Sequence, residues 1–332
     1  MKSLLFSFLI AFSLFAEACT TFVLKTENDL VFGRNLDWVS DNGVVVVNKR
    51  GLKKSALVFL NDKPATWTSK YGSVTFNQFG KEFPFGGMNE KGLVVELMVV
   101  RGSYPDQDAR DALNELQWVQ YQLDNASTIA EVIASDKDIR ISGISQNLHY
   151  LVCDASGKTA VIEFNSKGMV SYTDKTLPFS VLENDTYKTS LNKHKNKNSC
   201  RFNTVINMLD NYSHQDKIAV DYSFQILDKV ALDGSWSMVY DIKNKKIHFK
   251  SASHKAVKSI DCSSLNYSCS VPAQICSMNI SEKKEINPLL KDFDHNLNTQ
   301  VMKDGIKTNE ILLPQNVLNQ FYNYCLKPKC NP

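Results

Sequence analysis

The chain has 332 residues, 43% of them hydrophobic and 22% charged, with a formal net charge of +3. That is the composition of an ordinary globular protein, long enough to bury one large core or two smaller ones. The charge is too slight to argue for a nucleic-acid partner, whose binding face needs a concentrated basic patch.

The chain opens with Met1-Lys2, an apolar run from Leu4 to Phe15, and Ala16-Glu17-Ala18. A basic start, a short apolar stretch and an Ala-x-Ala site make a secretory signal peptide. The run falls short of the roughly 20 apolar residues that a membrane span needs. No later run reaches that length, so no stable membrane insertion is expected. Cleavage after Ala18 would export the protein, to the periplasm or outside the cell, and make Cys19 its first residue.

A cysteine in first position carries a thiol and a free α-amine together. The amine titrates at about 7.7–8.0, so it can take the thiol's proton near neutral pH without a histidine. The thiolate is the reactive form, and an N-terminal amine is an established activator of a nucleophile on the same residue. Two other readings compete. A lipid-anchored, non-enzymatic binding protein would use Cys19 as its lipoprotein cysteine. Such sites want Leu three residues earlier and a small residue two earlier, where this chain has Ala16 and Glu17. Cys19 could also be a buried structural cysteine.

Thr20 to Lys25 reads as a strand, Glu27-Asn28-Asp29 as a turn, and Leu30 to Trp38 as the returning strand, which brings Arg34 and Asp37 back toward Cys19. Strands are expected at Val44–Asn48, Ser55–Leu60 and Val74–Asn77. Phe85 to Leu93 reads as a turn feeding the strand Leu93–Val100, apolar except for Glu96. Such a run is buried on both faces, and a carboxylate inside it calls for a partner. Asp106–Leu123 shows helical spacing. A capping box opens a second helix at Ser127-Thr128-Ile129-Ala130-Glu131. Strands follow at Leu148–Cys153, Thr159–Phe164 and Gly168–Tyr172, helices at Ser199–Asp210 and Ser223–Val230, and a hairpin pairs Trp236–Tyr240 with Lys246–Ser251. Strands and helices come in blocks without a βαβ rhythm, which favours packed antiparallel sheets flanked by helix pairs.

From about Cys262 the chain is richer in Asn, Lys and Cys, with helical spacing only at Pro314–Tyr324. This stretch reads as a tail that wraps the core or joins subunits, with no catalytic role. Five of the eight cysteines lie here. An exported chain permits disulfides among them, but spacing alone does not fix their connectivity. No Cys-x-x-Cys occurs and the six histidines form no ligand motif, so neither a metal nor a histidine-assisted cysteine protease is indicated. No cofactor is expected.

Cys19-Thr20-Thr21 followed by Phe32-Gly33-Arg34-Asn35-Leu36-Asp37-Trp38 resembles the start of the choloylglycine hydrolase and penicillin V acylase family. Gly87 to Leu93, Val181-Leu182-Glu183-Asn184, Cys200-Arg201-Phe202 and Trp236 to Asp241 are similar to later family segments, in family order. The resemblance runs from Cys19 to roughly Ser251. It implies an α+β fold, a four-layer αββα sandwich of the N-terminal nucleophile hydrolase type. It further implies cleavage of linear amide C–N bonds in small N-acyl molecules, and a homotetramer.

The same resemblance implies roles. Cys19 attacks the carbonyl, Asp37 orients the α-amine, and Arg34 favours the thiolate by its charge. Asn184 donates to the oxyanion, Arg201 supports the network or meets a polar end of the substrate, and Trp38 lines an acyl pocket. Where many bile-salt hydrolases have an asparagine after the Leu93 strand, this chain has Val99. Either one oxyanion donor is absent or a backbone N–H serves. The export signal and Trp38 point to the secreted branch nearer to penicillin V acylases of Gram-negative bacteria. On this reading residues 1–18 are the signal peptide, 19–260 the catalytic domain, and 261–332 an extension packed on it.

Overall fold

The structure is a computed structural model that describes residues 19–58, 62–143, 146–198, 200–232, 236–280 and 284–330. The expected signal peptide lies outside them, as do Leu60 and Ser199.

Two antiparallel sheets stack face to face. The first has six strands, in the order Val181–Glu183, Thr20–Lys25, Leu30–Leu36, Trp236–Asp241, Lys246–Ser251 and Lys258–Asp261. The second has nine, in the order Gly168–Thr173, Thr159–Asn165, Leu148–Cys153, Val94–Val99, Gly86–Asn89, Ser73–Asn77, Val44–Asn48, Gln274–Ser277 and Lys291–Asp292. Inner strands such as Val44–Asn48 and Ser73–Asn77 are buried along their whole length, because each sheet is covered on both faces.

Helices close the outer faces. Ala219–Val230 lies on the six-stranded sheet, where Asn35 donates through Nδ2 to the Leu227 carbonyl at 2.7 Å. Arg201–Asp210 packs beside it. Glu115–Asn125 lies on the nine-stranded sheet, tied at its end by Asn89 Nδ2, which donates to the carbonyls of Leu123 (3.0 Å) and Ala126 (2.8 Å). Asn89 Oδ1 also accepts from the N–H groups of Lys91 and Leu93, both at 3.0 Å. This folds residues 89–93 into a tight turn, with Gly92 at φ +86°, a backbone region glycine enters without steric cost; Gly86–Asn89, expected within the turn, is instead a strand. The result is the expected four-layer αββα sandwich.

Several element boundaries differ from the sequence reading. The first helix begins at Glu115, not Asp106, and Asp111–Leu113 is instead a short strand paired in parallel with Ile139–Ile141. The strand expected at Ser55–Leu60 lies earlier, at Leu52–Ser55, where it pairs with Thr66–Thr68 and Lys329–Cys330 in a three-stranded sheet. The capping box forms as read, with Thr128 as N-cap and Glu131 as its partner.

The C-terminal stretch is more structured than its composition suggests. It adds two strands to the nine-stranded sheet and carries two helices, His295–Thr308 and Gln315–Tyr324. Phe321 stacks on Phe83 with ring centroids 4.5 Å apart, and Tyr324 follows at 5.2 Å. Cys269 and Cys330 lie at bonding distance, while Cys262, Cys276 and Cys325 are free thiols. Replacing Phe321 by Ala removes a buried aromatic side chain from a shared core. The variant should lose about 3 kcal/mol of stability in urea unfolding; a loss below about 1 kcal/mol would show that the last helix is peripheral.

Candidate active site

The strand Thr20–Lys25 has a neighbour on each side. Thr20 pairs with Asn35 on one and Glu183 on the other. Continuing both registers by one step sets Cys19 between Leu36 and Asn184. Side chains alternate along a strand, so Cys19 and Thr21 share the face turned toward the other sheet, as do Arg34 and Leu36. The Thr21 hydroxyl accordingly meets the Met98 sulfur at 3.9 Å.

Arg201, the first residue of its helix, joins the pieces. Its Nε donates to Thr20 Oγ1 at 3.2 Å, and its Nη2 reaches the Cys19 carbonyl at 3.5 Å and Asn184 Oδ1 at 3.3 Å. Glu183 steadies this helix start by accepting from the Phe202 N–H at 3.3 Å, a carboxylate at a helix N-terminus being favoured there. Asn184 in turn donates through Nδ2 to the Val99 carbonyl at 3.0 Å, which bridges the two sheets. Val99 therefore offers this network a backbone acceptor in place of a side-chain amide.

Arg34 is wholly buried. It pairs through Nε with Glu96 and donates through Nη2 to the Leu97 carbonyl at 2.7 Å. The Arg34 guanidinium, expected to favour the Cys19 thiolate by its charge, thus also faces the Glu96 carboxylate directly. The Tyr240 hydroxyl completes the cluster by donating to Glu96. Room for the carboxylate comes from Gly86, where a Cβ would stand 2.1 Å from Glu96 Oε2. Asp37 is buried just past the end of the Leu30–Leu36 strand.

Cys19 opens into a small cavity of about 60 Å³. Leu36, Leu97 and Val99 line it from the two sheets, Phe79 and Phe85 from a loop, and Trp38 from the segment after Asp37. Asn309 and Ile311 also line it. These two come from the C-terminal stretch, which the sequence reading left without a role at the site. The structure thus sets Cys19 and Trp38 on one cavity, links Asn184 and Arg201 to the Cys19 backbone by hydrogen bonds, and buries Arg34 and Asp37. Among the described residues no group of three or more His, Cys, Asp or Glu side chains could hold a metal ion, and no helix is long and apolar enough to cross a membrane.

Residues 19–222 match the family model of the linear amide C–N hydrolases, choloylglycine hydrolase family. The penicillin V acylase of Pectobacterium atrosepticum is 29% identical over 168 residues, 44% of each chain, so the match spans less than half of that relative. Among solved structures, penicillin V acylase from Agrobacterium tumefaciens superposes with a TM-score of 0.71 at 26% identity, covering 83% of this chain and 98% of that one. A mutant conjugated bile acid hydrolase from Clostridium perfringens shares the fold with a TM-score of 0.63 at 18% identity, covering 80% of this chain and 98% of that one.

Burial pushes the Glu96 carboxyl from its ordinary 4.5 up to about 7, and Arg34 and Tyr240 only partly offset this. The folded chain therefore holds an extra proton between pH 4.5 and about 7. Stability from this group is fully present below that window and is lost as pH rises through it. The melting temperature of wild type relative to Glu96→Gln should thus fall by at least about 2 °C between about pH 5 and pH 8. A constant difference in thermal denaturation would contradict the assignment.

Proposed function

Because the chain belongs to the choloylglycine hydrolase family of linear amide C–N hydrolases, we propose that it cleaves the amide bond of small N-acyl molecules with Cys19 as nucleophile. The observation that carries this reading is the placement of Cys19. The family match begins at this residue, which borders a mostly apolar cavity and whose backbone carbonyl accepts from Arg201, itself bonded to Asn184. Removal of residues 1–18 by export would free its α-amine.

The steps follow from that chemistry. The α-amine takes the Cys19 proton and the thiolate sulfur attacks the amide carbon. An amide nitrogen carries two donors, so Asn184 can hold the Val99 carbonyl with one N–H and meet the developing oxyanion with the other. Arg201 holds Asn184 in place from its oxygen side. The C–N bond then breaks, and the departing amine leaves with the proton held by the α-ammonium. Water, deprotonated by the same amine, attacks the thioester; the acid leaves and the thiol re-forms. Asp37 would orient the α-amine. Arg34 would bias Cys19 toward the thiolate only to the extent that Glu96 leaves its charge uncompensated.

Apolar lining favours an apolar acyl group, such as the phenoxyacetyl group of penicillin V or the acyl part of a conjugated bile acid. A homotetramer belongs to the same proposal. A diacylglyceryl anchor on Cys19, the competing use of this residue, would have to emerge from a site only 1% exposed.

Mass spectrometry of the exported protein should find a chain beginning at an unmodified Cys19. Cys19→Ala should abolish hydrolysis of a phenoxyacetyl amide. Asn184→Ala should lower kcat by about a hundredfold, as loss of one oxyanion donor does elsewhere. A different first residue, a blocked amine, or turnover surviving Cys19→Ala would overturn the reading.

A further inference from the structure

We infer that the turn Asn309–Ile311, at the end of the His295–Thr308 helix, is the element that selects the acyl group. The inference rests on the amide-hydrolase reading above and adds to it a specificity determinant that lies beyond the segment matching the family model, which ends at residue 222.

Two hydrogen bonds pin this helix end to the loop that follows Asp37. Trp38 donates through Nε1 to Asn309 Oδ1 at 2.8 Å, and Asn42 donates through Nδ2 to Asp304 Oδ2 at 3.0 Å. The Asn309 amide also donates to the Gly305 carbonyl at 2.7 Å, so both of its ends are engaged and its orientation is set. Gly305 permits the close approach, since a Cβ there would stand 2.7 Å from the Gln78 carbonyl. On the cavity side, Trp38 meets Phe85 edge to face at 6.5 Å.

The helix ends in a paired cap. Glu310 N–H donates to the Lys307 carbonyl at 3.1 Å, and Ile311 N–H to the Ile306 carbonyl at 3.0 Å. This is the Schellman arrangement, with Glu310 at φ +52° in the position glycine usually takes. The left-handed residue reverses the chain so that Asn309 before it and Ile311 after it both border the cavity. A non-glycine residue at such an angle is held there by its surroundings and tends to occur where function needs the geometry.

The consequence is a roof on the Cys19 cavity. With that roof in place the space is about 60 Å³, less than the roughly 150 Å³ in which an apolar cavity holds a benzene ring, so acyl selection turns on how far Ile311 must give way: little for a short chain or a single ring, much for a long chain. A long alkyl acyl group must displace Ile311, and with it the Trp38–Asn309 contact. Of the two acyl groups that apolar lining alone allows, the substrate class that fits is therefore the short or aryl-bearing acid and not the steroid acid of a conjugated bile salt.

The test compares two amides of one amine, phenoxyacetyl and dodecanoyl, on wild type, Ile311→Ala, Asn309→Ala and the neighbouring Leu312→Ala, which is highly exposed. Opening the roof should raise the dodecanoyl-to-phenoxyacetyl ratio of kcat/KM by about tenfold or more, chiefly through KM, as removal of methylene-sized contacts does in apolar pockets. Ile311→Val should give an intermediate ratio and Leu312→Ala the wild-type one. A second readout needs no turnover: binding of phenoxyacetate and dodecanoate to Cys19→Ala protein, followed by tryptophan fluorescence, with Trp38→Phe as reference. The same change in preference should appear there. If wild type hydrolyses no amide, the proposed reaction fails and the binding ratio alone decides this inference. An unchanged preference in Ile311→Ala and Asn309→Ala overturns it.

Discussion

The site depends on one constraint, the pairing of the Thr20–Lys25 strand on both of its edges. A strand with a partner on each side has no freedom of register, because a slip of one residue would turn every side chain to the opposite face. Here that slip would move Thr21 away from Met98 and send Phe22 from beneath the helices into the space between the sheets. Gly33 reinforces the lock, since a Cβ there would lie 2.4 Å from the Phe22 ring. With the register fixed, Cys19 has one address: abreast of Leu36 and Asn184, facing the second sheet. The Arg201 contact to the Cys19 carbonyl supports that address. The address is otherwise inherited from six residues of ladder and from the packing of Phe22 behind them.

Buried charge holds the two sheets in alignment. Arg34 reaches from the six-stranded sheet to Glu96 and the Leu97 carbonyl on the nine-stranded one. A second buried cluster joins Lys54 to Glu82 at 2.8 Å and to Asp124 at 2.9 Å, with Trp67 donating to Asp124 at 2.7 Å. Removing such ions from water is costly, and breaking one partner costs more than the pair contributes. These clusters are therefore better read as alignment devices than as sources of net stability. Arg34 stands abreast of Thr21, two residues along from Cys19, so the alignment it enforces includes that of Cys19 with Leu97 and Val99 across the gap.

Much of this was legible in the sequence and the remainder has identifiable reasons. A strand with a near-continuous run of Val, such as Val44–Asn48, declares itself because burial on both faces favours apolar side chains at every position. The Tyr187–Lys195 helix does not, since only Tyr187 and Ser190 are buried and the rest is polar. The His295–Thr308 helix hides for a related reason. Its inner face combines Val301, Met302 and Ile306 with Asn298 and Gly305, and the last two break the apolar period. Ala112 and Leu113 mislead in the other direction: their apolar character serves a short parallel pair with Ile139–Ile141, and a helical period absorbed them. At the site, Cys19, Asn184 and Arg201 lie on motifs that recur in order. Asn309 and Ile311 carry no motif at all, and only tertiary packing brings them to Cys19.

The Val99 position shows how the same residues can serve chemistry by another route. A side-chain amide there would supply a donor, whereas the Val99 carbonyl supplies an acceptor, and the two are not equivalent. An acceptor cannot stabilise an oxyanion, but it can fix the group proposed to do so. Asn184 is held at its nitrogen by the Val99 carbonyl and at its oxygen by Arg201, so its amide plane is set before any substrate arrives. Hydrogen bonds in such a chain polarise one another, and the guanidinium at the oxygen end makes the amide a stronger donor at the other. A fixed, polarised donor needs little rearrangement when negative charge develops, which is the condition under which oxyanion contacts are worth most. In the proposed reaction one well-held donor can therefore do much of what two looser ones would, and the loss of a side-chain donor at position 99 is compatible with amide hydrolysis.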